Sequence, residues 1–306
     1  MDAQKLHLLA LMFLSLFYLA KSFVPANSFL LNCGSNANAS LYDSVFIADS
    51  AKPSSVSLTD KNPYPDSPIL YRAALVFTSE SSYEFSIKQN ERGDSLGFRA
   101  HNKVLKEFLL RIDGEAFEII FSPLGDFGFA FVSAIEVFSP PKDFIIDDGA
   151  RLINGNGIES YKNLTSPVLE TVHRVNVGGL KLTPFNDSLW RTWIPDDGFL
   201  VLESAAKKAS TSHVPNYQNG GAAREIAPDN VYITAREMNR DNSMLNGIFN
   251  VTWDFPVGSL GAPYLVRLHL CDIVSPALNQ LYFNVYINDF SAYTDLDLSL
   301  LTVHVL

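Results

Sequence analysis

The sequence predicts an all-β protein, built as two antiparallel β-sandwich domains in tandem. Three observations predict it. Apolar and polar residues alternate in many short runs, Asn-Gly and Asp-Gly pairs punctuate those runs, and the second half of the chain repeats the motif order of the first. Of 306 residues, 47% are hydrophobic and 18% charged, which excludes a disordered or collagen-like chain. A net charge of −10 without a basic cluster argues against nucleic acid and anionic membrane surfaces. Sugars, basic peptides and protein partners stay open.

Residues 1–22 read as a signal peptide. Lys5 precedes an apolar stretch, residues 8–20, in which only Ser15 and Tyr18 are polar. That is shorter than the roughly 20 apolar residues of a bilayer span. Ala20-Lys21-Ser22 then places small residues around a cleavage site, so the mature chain is expected to begin near Phe23 and to be exported without an anchor. Export makes four Asn-x-Ser/Thr triplets candidate glycosylation sites, at Asn38, Asn163, Asn186 and Asn250.

Residues 23–139 read as the first domain. Period-two runs at 74–78, 83–87, 108–112, 117–121 and 129–138 predict strands, because successive strand side chains point to opposite faces. Asp113-Gly114 predicts a hairpin turn between two of them. Ser139-Pro140-Pro141 breaks the pattern, and residues 140–167, rich in Pro, Gly, Asn and Asp, read as a linker with turns at Asn154-Gly155 and Asn156-Gly157.

Residues 168–306 read as the second domain, with strands at 172–177, 248–255, 264–271 and 280–287 and turns at Asn219-Gly220 and Asn246-Gly247. In residues 264–271 the alternation places Tyr264, Val266, Leu268 and Leu270 inside and Arg267 and His269 outside. In residues 280–287 it places Leu281, Phe283, Val285 and Ile287 inside. Helical periodicity is confined to residues 203–209.

The two halves repeat. Leu31-Asn32-Cys33-Gly34 answers Val175-Asn176-Val177-Gly178, Leu70-Tyr71-Arg72-Ala73 answers Val231-Tyr232-Ile233-Thr234, and residues 83–87 answer 249–253. The offset grows from 144 to 161 to 166 residues, as loop insertions between equivalent strands would make it.

Phe29-Leu30-Leu31-Asn32-Cys33-Gly34-Ser35, the run 125–138 and the run 169–179 resemble the tandem malectin-like ectodomain of plant FERONIA/THESEUS-type receptor-like kinases. So do residues 186–196, with Asn186-Asp187-Ser188-Leu189-Trp190-Arg191-Thr192-Trp193, and the runs 249–255 and 269–284. The resemblance runs from about residue 28 to 298. It implies two malectin-type sandwiches, an extracellular surface position, and recognition of cell-wall polysaccharide or secreted peptides, with a receptor or co-receptor as a further partner.

Against that pattern both domains read as incomplete. The first lacks middle strands after residue 87, and the second lacks the closing strands equivalent to 125–138. The chain reads as ending before the membrane span and kinase domain of the family.

Nothing in the residues specifies catalysis, a cofactor or a metal. Asp126-Phe127-Gly128 matches a kinase motif in letters but has no catalytic loop before it. His269 and Cys271, two apart on one strand, stand about 6.6 Å from each other, too far for a thiol–imidazole pair; a packed cysteine beside a solvent-leaning histidine is expected. The histidines show no metal spacing. Asp147-Asp148 and Asp196-Asp197 admit Ca²⁺ or glycosidase chemistry, with ordinary solvated turns as the plainer expectation. Tyr42, Tyr64, Tyr161 and Tyr217 lie in loop-like stretches and are the aromatic candidates for ligand contact. Cys33 and Cys271 are expected not to bond to each other.

The expected function is thus a non-catalytic extracellular recognition module, secreted as written. Two alternatives stand beside it: a fragment of a membrane receptor-like serine/threonine kinase, and a secreted β-sandwich glycosidase.

Overall fold

The structure is a computed structural model that describes residues 23–63, 68–87, 95–102, 104–125, 128–146, 149–217, 221–239, 250–258, 261–275, 277 and 279–301. The expected leader, Tyr64, Asp126-Phe127, Asp147-Asp148, Asn219-Gly220 and Asn246-Gly247 lie outside the described residues.

The first half carries β1 (Ser28–Cys33), β2 (Ala39–Leu41), β3 (Ser44–Asp49), β4 (Ser55–Thr59), β5 (Ala73–Phe77), β6 (Ser81–Ser86), β7 (Ser95–Asn102), β8 (Val104–Arg111), β9 (Ala116–Phe121), β10 (Ala130–Val132) and β11 (Ala134–Phe138). β12 (Arg151–Asn154) and β13 (Gly157–Ser160) follow, then β14 (Leu169–Glu170). The second half carries β15 (Val175–Asn176), β16 (Ile194–Pro195), β17 (Ala206–Ser210), β18 (Thr234–Met238), β19 (Tyr282–Ile287) and β20 (Phe290–Asp297), with one-turn helices α1 (Asp229–Tyr232) and α2 (Leu298–Leu301).

The first half is a two-layer sandwich. One layer is a seven-stranded sheet in the order β14-β8-β7-β11-β1-β3-β2; the other is made of β10-β5-β4 and the pair β6-β9. Between them Leu75, Phe77, Val132, Ile135 and Val137 are fully buried, with Cys33, Tyr83 and Phe85 beside them. Phe77 stacks on Phe121 and Phe85 on Phe117, with centroids 5.3 and 5.2 Å apart, so the alternation read in 74–78, 83–87 and 117–121 is the inner face of the second layer.

Asp113-Gly114 does not close a hairpin. β8 pairs with β7 and β14, while β9 pairs with β6, so the chain changes layers there. Asn154 and Gly157 do close a hairpin, between β12 and β13, inside the stretch that composition marks as a linker.

The internal repeat is present in three dimensions. β1 pairs in parallel with β3 (Asn32 opposite Ala48), and β15 in parallel with β16 (Asn176 opposite Pro195). β4–β5 and β17–β18 share one antiparallel register: Thr59 faces Ala73 as Ser210 faces Thr234. Gly34 and Gly178 have φ of +76° and +71°, and a Cβ on either would lie 2.2 or 2.1 Å from the backbone of Ala74 or Ala235. Only glycine fits both demands.

Among the described residues the strands of the second half stand in two-stranded pairs, β15–β16, β17–β18 and β19–β20. Residues 203–209 are not two helical turns: one 3₁₀ turn at Glu203–Ala205 leads straight into β17. β19 keeps the predicted alternation, with Phe283, Val285 and Ile287 half-buried and Tyr282, Asn284 and Tyr286 exposed. Residues 264–271 form no strand, and Trp253 makes only an isolated bridge to Leu200. The halves meet where β14 joins the first sheet, where Arg174 pairs with Glu107 and Lys106 with Glu170, and where Phe138 meets Trp190 edge-on at 6.0 Å.

Candidate recognition surface and its scaffold

Two buried carboxylates organise the second half. Asp187 follows the 3₁₀ turn Pro184–Asn186; its oxygens accept from Arg191 Nε at 2.9 and 3.0 Å, Trp193 Nε1 at 2.8 Å and the Leu189 N–H at 2.8 Å. Arg191 also donates to the carbonyls of Ile226 and Glu225. Asp196, next after β16, accepts from Arg236 Nε at 3.0 Å, Trp253 Nε1 at 2.9 Å and the Gly178 N–H at 2.9 Å. Both carboxylates have 0% side-chain exposure, and Arg191 and Arg236 only 3% and 4%. Each hub is an Asp–Arg–Trp unit with its acceptors used, as a buried charge requires.

Asp196 and Asp197 therefore part company, contrary to the reading of the pair as a solvated turn. Burial alone raises the Asp196 carboxyl, but Arg236, Trp253 and the Gly178 N–H outweigh it and hold it below the ordinary value. Asp197 lies near the surface against Lys208 and Arg236. Both aspartates are committed to arginine and lysine. Among the described residues no group of three His, Cys, Asp or Glu is placed to hold a metal ion.

In the segment 264–271 the face expected inside is not buried. Tyr264, Val266, Leu268 and Leu270 are exposed, Leu268 at 47%. Arg267 Nη2 instead donates to the Phe144 carbonyl at 2.6 Å and lies over the Phe144 ring. His269 is not solvent-leaning: it packs edge-on against Trp193 and Tyr232, and its Nδ1 meets the Tyr232 hydroxyl at 3.1 Å. Burial first, then the charges of Arg267, Arg191 and Arg174, push its pKa down to about 4. The polar heads reach partners beneath the segment, and among the described residues no strand pairs over the apolar row.

The cysteines are free. Burial pushes the Cys33 thiol up to about 12, with Tyr83 as its neighbour at 3.6 Å, so it is packed and unreactive. Cys271 is half-buried against the second core, and burial raises its thiol too.

The tyrosine candidates separate. Tyr42 is 40% exposed, at φ +50° in the turn between β2 and β3. Tyr161 is half-buried, its N–H donating to the Ala150 carbonyl. Tyr217 is spent internally: its hydroxyl donates to Asp229 at 2.8 Å, its ring meets Tyr232 edge-on, and Arg224 lies over it. Among the described residues no hydrogen bond or ring contact links Tyr42, Tyr161 and Tyr217. Asn38, Asn163, Asn186 and Asn250 are all exposed.

The hubs escaped sequence reasoning because Asp196 and Arg236 stand 40 residues apart. The signal available was Asp187, Arg191 and Trp193 crowded into one short string. Among the described residues no helix is long and apolar enough to cross a membrane.

No family model matches the chain. A probable receptor-like protein kinase of Arabidopsis thaliana is 49% identical over 323 residues, covering 93% of this chain and 39% of the relative. The receptor-like protein kinases HERK 1 and THESEUS 1 of the same plant are 38% and 32% identical, covering 93% and 92% of this chain and 38% and 37% of theirs. The chain thus spans about two fifths of these relatives' length. In structure it is similar to a chain from the plant peptide RALF23 in complex with FER and LLG2, with a TM-score of 0.74 and 26% identity, over 92% of this chain and 84% of that one. The ANXUR1 extracellular domain of Arabidopsis thaliana has the same fold, with a TM-score of 0.73 and 23% identity, over 90% and 84%.

Proposed function

We infer, from the premise that this chain belongs to the tandem malectin-like ectodomains of FERONIA/THESEUS-type receptor-like kinases, that it is a non-catalytic extracellular module that recognises a secreted peptide together with a co-receptor protein. The observation that carries this is the likeness, over 92% of this chain and 84% of the other, to a chain in the RALF23–FER–LLG2 complex. The charge of −10 supports a basic peptide as the ligand class. The units we propose are 23–139 and 168–306, joined through 140–167, with N-glycans on the exposed asparagines. In a full-length receptor this part stands outside the plasma membrane, and kinase activity belongs to that longer protein.

Cell-wall carbohydrate is the second reading, favoured by the exposed Tyr42 ring on a loop end. Titrating the secreted chain with synthetic RALF23, with and without LLG2, and in parallel with pectin and glucan oligosaccharides, separates the readings. Saturable peptide binding that LLG2 strengthens and a scrambled peptide lacks is expected. Oligosaccharide binding alone overturns the peptide reading, and release of reducing sugar overturns the non-catalytic one.

A further inference from the structure

β1 and β15 are one strand in two copies of the repeat, and only β1 has neighbours on both sides among the described residues. β3 lies on one side and β11 on the other, with Leu31 facing Ile135 and the Cys33 N–H donating to the Ser133 carbonyl at 2.9 Å. Both backbone groups of a strand residue point to one side, and alternate residues point to opposite sides. The Arg174 carbonyl accepts from the Ile194 N–H at 2.9 Å, so Arg174 and Asn176 face β16. Val175 and Val177 then turn their N–H and C=O the other way. They stand where Leu31 and Cys33 stand, 144 residues on, and no described residue pairs with them there.

The register says what fits. Through β11, Ala134 faces Asn32, Ile135 faces Leu31, Glu136 faces Leu30 and Val137 faces Phe29. The equivalent residues along the second edge are Asn176, Val175, Arg174 and His173. A strand like β11 would set its small residue against Asn176, its isoleucine against Val175, and its glutamate across from Arg174, which already pairs with Glu107 and would be shared between two carboxylates.

We propose that the outer edge at Val175–Val177 is an acceptor for one added antiparallel strand. Its occupant is a closing strand of the repeat's own chemistry, of the type Ser133-Ala134-Ile135-Glu136-Val137-Phe138, and not a second copy of this chain. This concerns the closure of the second half and stands apart from the choice of ligand.

The test adds a synthetic peptide with the sequence of residues 129–138 to the protein spanning residues 23–306 and follows amide hydrogen exchange. Exchange at Val175 and Val177 should slow about tenfold or more, the tryptophan-detected melt should rise, and a Glu136→Lys peptide should bind about tenfold more weakly. N-methylation of the Ile135 nitrogen, which removes the donor facing Val175, should abolish the protection. No binding at about 1 mM, equal binding of a scrambled peptide, protection at other sheet edges instead, or a dimer that protects Val175 and Val177 without peptide would each overturn the proposal.

Discussion

In the first half the least exposed side chains include Leu75, Phe77, Ile135 and Val137, caught between two layers of sheet; in the second half a smaller apolar cluster of Leu182, Trp193, Ala227 and Val231 is joined by the buried charges of Asp187, Asp196, Arg191 and Arg236. The same repeat, with the same β4–β5 and β17–β18 register, is thus held in two ways. A covered sandwich draws on apolar burial, about 1.5–3 kcal/mol per large side chain, which is insensitive to charge state. Where sheets remain two-stranded, the chain is pinned by hydrogen-bonded ion pairs, whose net value is small while intact but whose disruption is costly. Shared topology does not imply shared energetics.

The largest effects come as a mirrored pair. Asp196→Ala leaves the Trp253 indole and the Gly178 N–H without their acceptor and takes from buried Arg236 one of its two carboxylates. We expect a loss of about 3–5 kcal/mol, seen in tryptophan fluorescence, since Trp190, Trp193 and Trp253 all lie in the second half. Phe77→Ala should cost a similar amount, about 3–5 kcal/mol, but in the sheet signal of circular dichroism first. If both variants move both signals equally, the halves are not separately held.

A smaller effect is pH. His269 has its folded pKa pushed down to about 4 from 6.5, so between those values the unfolded chain binds the proton that the folded one refuses. Stability of the second half should therefore fall as pH drops from about 6.5 to 4, by about 2–3 kcal/mol in all. Asp196, held below its ordinary value, adds a further loss below about pH 4. Thermal melts in buffers from pH 7 to 4 check this, and His269→Phe should flatten the upper part of the profile.

The smallest is a gain. Asn32 and Asn176 are equivalent and buried, and the Asn176 oxygen accepts from Thr234 Oγ1 at 3.0 Å. Among the described residues the Asn32 Oδ1 is buried with no partner, because the residue at the Thr234 position in the first half is Ala73. Ala73→Thr should supply the donor and stabilise the first half by about 0.5–1.5 kcal/mol. A lower melting temperature would show that the site lacks room for the larger side chain.

Much of this was legible in one dimension. Period-two alternation marks β5, β6, β9 and β19, and the recurrence of Asn-x-Gly marks the repeat. What escaped were pairings. Asp113-Gly114 carries a hairpin signal, yet which strands a turn joins is decided by the layers on either side of it. Residues 264–271 alternate like a strand, but the face they bury depends on Phe144, Trp193 and Tyr232, all remote in sequence. The Asp196–Arg236 hub has the same cause. Of the ligand candidates, Tyr217 looked free in sequence and is bonded to Asp229.

The most direct test is urea unfolding of residues 23–306, followed at once by tryptophan fluorescence and far-ultraviolet circular dichroism at pH 7 and pH 5. All three tryptophans lie in the second half, with Trp190 against Phe138 of the first and Trp193 and Trp253 bound to the buried carboxylates. Fluorescence should change at lower urea than the main loss of sheet signal, and the separation should widen at pH 5. Coincident transitions at both pH values would contradict the claim that the two halves are held by different forces.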